Sequence, residues 1–148
     1  MSLNNPSPIK QKAIDIVESK YNVKVSIKKL DSIAYGESCC TNKRTINISS
    51  KVKNINKFVF CLFHEAGHFY CYDNHIYPAY HRCMATQFMT QKQKRALILT
   101  AWKAEKYVDN WANSEMKKYF PELDEMESYT ENYKAIFHSE WLYKHYKW

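Results

Sequence analysis

An apolar run, Phe58-Val59-Phe60-Cys61-Leu62-Phe63, leads directly into His64-Glu65-Ala66-Gly67-His68. His64 and His68 are four residues apart, a spacing that puts both imidazoles on one face of a helix, where they can hold a single cation. Glu65 follows His64 around the helix, so its carboxylate can reach a water beside that cation without being a ligand. Two histidines on Zn²⁺ with a glutamate as general base is the arrangement of zinc hydrolases. One histidine on an apolar helix is ordinary core. Two at ligand spacing, with a carboxylate between them, are costly to bury unless something compensates, and a metal ion is the simplest compensation.

Catalytic zinc takes three protein ligands and leaves a position for water. The metzincin solution, a third histidine in His-x-x-x-His-x-x-Gly-x-x-His, fails here: Cys71 stands where the Gly belongs and Asn74 where the last His belongs. The other common solution is a carboxylate from a second helix. Glu105 and Asp109 are four apart and flanked by Ala101, Ala104, Val108 and Ala112, which places them beside a buried helix face. In the gluzincin scheme the Glu of such a Glu-x-x-x-Asp binds zinc, and the Asp bonds the free nitrogen of a ligand histidine, fixing its tautomer. Glu105 is therefore the expected third ligand, with Asp109, His75 and His81 as alternatives. A donor to stabilise the oxyanion is also needed, and His75, Tyr80 and His81 follow the motif helix closely enough to be candidates.

These residues need elements to hold them. Asn54 reads as the cap of a motif helix that runs to about Tyr72. Thr90-Gln-Lys-Gln93 has the form of a capping box, opening a long helix that runs to about Tyr119 and is closed by Pro121. Earlier in the chain, Ser7-Pro8 caps a first helix reaching about Lys20. Val23 to Lys28 alternates as a half-buried strand. Ser32 to Tyr35 and Thr45 to Ser49 read as two more strands, joined by a turn over Ser38 to Arg44. The stretch from Tyr72 to Pro78 reads as loop, and Ala79 to Met89 as either a short helix or a segment lying across the site. Asp124 to Trp148, rich in aromatic and charged residues, reads as helical. The expected fold class is α+β: a mainly helical, zincin-like domain with a small three-stranded sheet ahead of the motif helix.

Composition agrees with one domain over 1–148, with 1–7 flexible and 121–148 a C-terminal helical extension. The 148 residues suffice for a real core. Only 2 glycines and 4 prolines argue against a loop-rich β-sandwich. The five cysteines include no Cys-x-x-Cys pair, which argues against a cysteine zinc knuckle. An odd count without a secretion signal suggests free thiols and a cytoplasmic protein. No apolar stretch is long enough for a membrane span. A net charge of +7 is spread along the chain with no nucleic-acid-binding motif, so it reads as a solvated surface rather than a nucleic-acid site.

With these elements in place, the chain resembles the ImmA/IrrE-type metallopeptidases of phages, conjugative elements and some stress-response systems. The resemblance rests on the order helix, small sheet, His64-Glu65-Ala66-Gly67-His68 helix. It rests also on a following helix with Glu105, Val108, Asp109, Trp111 and Ala112, similar to that family's Glu-x-x-Ala-Asn/Asp-x-Phe-Ala. It covers roughly residues 8–120. What it implies is a zinc endopeptidase, one Zn²⁺ per chain, whose protein substrate is a helix-turn-helix repressor, with neither direct nucleic-acid binding nor a membrane. An alternative of a different class is a latent or inactive zincin-fold binding module. It would grip a partner through the basic, aromatic C-terminal segment, with Tyr129, Tyr133, Trp141, Tyr143, Tyr146 and Trp148.

Overall fold

The computed structural model describes residues 7–30, 36–39, 43–78 and 91–128, with side chains for all of these except Cys39 and 91–102. Along the chain they form α1 (Pro8–Tyr21), β1 (Lys24–Lys28), β2 (Gly36–Cys39), β3 (Thr45–Ser49), α2 (Ile55–Asp73) and α3 (Gln91–Tyr119). The architecture is α+β. Among the described residues no helix is long and apolar enough to cross a membrane.

Local chemistry accounts for the helix ends. Ser7 Oγ accepts from the Lys10 amide and Pro8 opens α1, while Asn22 ends it in the left-handed conformation at φ 52°. The Asn54 side chain accepts from the Lys57 amide and starts α2. The first and second helices therefore begin and end within a residue or two of where the sequence puts them.

The sheet order is β1-β3-β2, with β1 parallel and β2 antiparallel to β3. Central β3 turns Ile46 and Ile48, both fully buried, toward the helices. The second strand differs from expectation. It occupies Gly36–Cys39, partly within the stretch expected to be turn, while Ser32 to Tyr35 lies outside the described residues. Gly-Glu-Ser-Cys has no apolar alternation of its own. Its place is set by pairing with β3, where Gly36 lies opposite Ile48 and Cys39 opposite Thr45.

The core gathers Ala13 and Val17 of α1, Ile46 and Ile48 of β3, the apolar run of α2, and Ala112, Met116 and Phe120 at the end of α3. Arg44 ties its far edge: the guanidinium takes Asp73 through two bonds of 2.9 Å, and also reaches the Tyr21 and Asn22 carbonyls.

Where α2 crosses α3 the helices meet at Gly67. A Cβ there would lie 2.8 Å from Val108 Cγ1 and 3.0 Å from Trp111 Cε3. The missing side chain lets Trp111 come in flat against Tyr70 (ring centroids 5.2 Å) and edge-on to Tyr21 (5.5 Å).

The C-terminal reading is corrected in part. Residues 124–128 are not helical; their backbone bonds go to side chains of α2 and α3 instead of to the carbonyl four residues back. The rest of the expected C-terminal helix, the aromatic cluster from Tyr129 onward and the Ala79 to Met89 segment all lie outside the described residues.

Candidate metal centre

The α2–α3 crossing sets the site. Glu105 and Asp109 project from α3 onto the face of α2 that carries His64 and His68, and all four are at least nine-tenths buried. His64 Nε2 lies 2.9 Å from Glu105 Oε2, and His68 Nε2 lies 3.5 Å from the same oxygen. Ligands at ~2.0–2.1 Å from a tetrahedral zinc stand ~3.3 Å from one another. The two distances from Glu105 Oε2 bracket that separation.

Glu65 completes the cluster. One ligand atom each from His64, Glu65 and His68 lie within 4.8 Å of one another. Two carboxylates thus reach the centre. Glu105 Oε2 approaches both Nε2 atoms, and Glu65 offers a ligand atom within 4.8 Å of one on each histidine. Gly36 of β2 faces Glu65: a Cβ at Gly36 would come to 3.1 Å from Glu65 Cγ. Both of the chain's glycines thus sit where another backbone or side chain must approach the motif closely.

Asp109 lies against the Nδ1 side of His64. Its Oδ1 is 2.7 Å from His64 Nδ1, and its Oδ2 accepts from the Ser128 amide at 3.0 Å and the Ser128 hydroxyl at 2.7 Å. A carboxylate on the far nitrogen of a ligand histidine holds the proton there and turns the other lone pair outward.

This arrangement gives a direct test of whether a cation fits. A neutral imidazole has one N–H and one lone pair. With the proton on Nδ1 toward Asp109, the Nε2 lone pair of His64 points at the Glu105 carboxylate 2.9 Å away. That contact is repulsive unless a positive charge lies between them, either a proton or a metal ion. The same demand appears in the protonation of His64. Burial works against the charged ring, but the bonds to Asp109 and Glu105 outweigh it and raise His64 to about 10. Burial likewise opposes ionisation of Glu105, yet His68 and His64 beside it hold its carboxyl well below the usual range.

Charge counting points the same way. Glu65, Glu105 and Asp109 bring a formal −3 into a volume where each is at most 5% exposed. A proton on His64 offsets one of these charges and a divalent ion offsets two. The donor set of two imidazoles and a carboxylate is that of a catalytic zinc site.

The other sequence candidates fall elsewhere or are not described. His75 is exposed in the turn beyond the end of α2, at φ 57°. Tyr80 and His81 lie outside the described residues. Cys61, half-buried on α2, has its thiol pushed up to about 12 by burial and by Glu65, and it is not among the residues whose ligand atoms cluster with His64 and His68. Sequence reasoning did not find Ser128. A serine in the polar stretch Glu125-Met-Glu-Ser128 carries no periodicity or motif that would have marked it. No protein-family model, curated protein or solved structure matches the chain.

Proposed function

We propose that the chain is a zinc-dependent endopeptidase, with His64, His68 and Glu105 holding one Zn²⁺ per chain. The observation that supports this reading is His64, whose two ring nitrogens both face buried carboxylates, so that a positive charge, a proton or a metal ion, must lie between Nε2 and Glu105. When bound, zinc supplies Lewis acidity, which activates a water toward deprotonation and polarises a substrate carbonyl.

The chain's own residues then divide the remaining work. Glu65, buried beside the two histidines, takes the proton from the attacking water and passes it to the leaving amine. Asp109 keeps the His64 proton on Nδ1, so the Nε2 lone pair stays available to the metal. Of the candidates for the oxyanion donor, His75 is exposed beyond the end of α2, and Tyr80 and His81 lie outside the described residues. By its resemblance to the ImmA/IrrE-type metallopeptidases, the substrate would be a helix-turn-helix repressor of a phage or mobile element, cut inside the cell.

Elemental analysis of wild type, His68→Ala and Glu105→Ala, purified without added metal, tests the metal site. One zinc per wild-type chain, reduced in both variants, is the expected result; a wild type that takes up no zinc even when it is supplied overturns the proposal. Glu65→Gln should retain the zinc and lose cleavage of a co-expressed repressor. A variant that still cleaves normally would show that Glu65 is not the base.

A further inference from the structure

The segment that follows α3 is held in a regular way. The Asn56 side chain donates to the Asp124 carbonyl at 2.9 Å and accepts from the Asp124 amide at 2.7 Å. Two residues on, the Asn113 side chain does the same to Met126, donating at 2.7 Å and accepting at 2.9 Å. Two residues further, the Ser128 amide donates to Asp109 Oδ2.

Residues 124, 126 and 128 thus present their polar backbone groups to one side. That period of two belongs to an extended strand whose neighbour would normally be another strand. Here the neighbour is a row of side chains on two helices. Asn113 and Asp109 are one helical turn apart on α3, about 6 Å along its axis. Two residues of extended chain advance about 6.6 Å. The two repeats match, so the chain runs back along α3 in register, and fixing Met126 on Asn113 delivers Ser128 to Asp109.

Ser128 adds its hydroxyl at 2.7 Å to the same oxygen that its amide binds. With two donors on Oδ2, the carboxylate plane is fixed and Oδ1 is the oxygen left facing His64 Nδ1. We infer that Ser128 is a positioning residue of the metal centre, acting through Asp109 on His64, and that the strap of residues 124–128 sets its register. This inference rests on the metal-site reading above.

The test uses the full-length chain as wild type, Ser128→Ala, Ser128→Thr and Asn113→Ala. Zinc affinity is read by competition with a chromogenic chelator, and the geometry by the visible absorption of the Co²⁺-substituted protein. Loss of a direct partner of a ligand histidine weakens metal binding ~10–100-fold, so loss of a group one bond further out should cost roughly 5-fold. Ser128→Ala should bind zinc about that much more weakly, with altered cobalt bands, and Ser128→Thr should recover both. Asn113→Ala, which keeps the hydroxyl but releases Met126, should weaken zinc in the same direction.

Wild type that binds zinc while Ser128→Ala matches it in affinity and cobalt spectrum would overturn the positioning role and leave the metal site standing, even if the variant melts earlier. Unchanged affinity in Asn113→Ala would remove the strap's part in it. Wild type that binds no zinc would remove the metal site and this inference together.

Discussion

Gly67→Ala is the substitution that most directly probes how the site is held together. In an isolated helix the change is favourable by ~1 kcal/mol, because alanine loses less backbone freedom. In this fold the new methyl would lie 2.8 Å from Val108 Cγ1 and 3.0 Å from Trp111 Cε3. Carbon atoms pack at about 3.5–4.0 Å, so α3 must retreat by roughly 1 Å or its side chains must leave their preferred rotamers. Overpacking of this kind costs ~1–3 kcal/mol, which leaves a net destabilisation of about 0–2 kcal/mol.

For the proposed zinc site the retreat matters more than it does for stability. Glu105 and Asp109 flank Val108 on the same helix, and the Glu105 oxygen already stands 3.5 Å from His68 Nε2. Ligand distances in zinc sites fall within about 0.2 Å of their ideal values. Gly67→Ala should therefore fold, melt slightly earlier, and lose most of its zinc. Val108→Ala in the same chain removes the nearest clashing atom and should return part of both losses, measured as a coupling in a double-mutant cycle. A Gly67→Ala protein about 1 kcal/mol more stable than wild type, with full zinc, would refute the close crossing.

Asp109→Asn should fold and lower zinc affinity by ~10–100-fold, because an amide can present its NH₂ to His64 Nδ1 and release the tautomer; chelator competition measures it. Removing zinc with a chelator should lower the melting temperature, and adding it back should raise it with concentration, since metal at 100 times its dissociation constant contributes ~2.7 kcal/mol. On the opposite side of the crossing, Glu115 takes Lys118 at 2.8 Å and Lys20 at 3.1 Å. Burial pushes its carboxyl up, but those two bonds outweigh it and hold the group below 4.5. A depressed carboxylate contributes stability that is present above about pH 4.5 and is lost as the pH falls through its lower folded value. Glu115→Gln should accordingly be less stable than wild type at neutral pH and show a flatter decline in urea midpoint below that point.

Much of this protein was legible in the order of its residues, wherever the cause is local. The caps Ser7 and Asn54, the stop at Pro121 and the periodic apolar faces mark the helices because they satisfy backbone groups within a few residues. The four-residue spacings of His64–His68 and Glu105–Asp109 put each pair on one helix face before any packing is known. That Glu105 and Asp109 then meet those histidines was an expectation from chemistry, and the α2–α3 crossing supplies the distances.

What tertiary structure alone decided is whatever depends on two distant segments fitting together. Gly-Glu-Ser-Cys becomes a strand because β3 offers it a partner. Parallel pairing of β1 with β3 leaves no trace in either strand's own alternation. Gly67 reads as a weak point in a helix until Val108 and Trp111 arrive against it. Residues 124–128 carry helix-compatible side chains, yet two asparagines and an aspartate on other elements take their backbone bonds and draw them out straight. Side-chain type and spacing determined which groups could do chemistry. The close approach of α3 to α2, possible only at a residue without a side chain, decided which of them face one another.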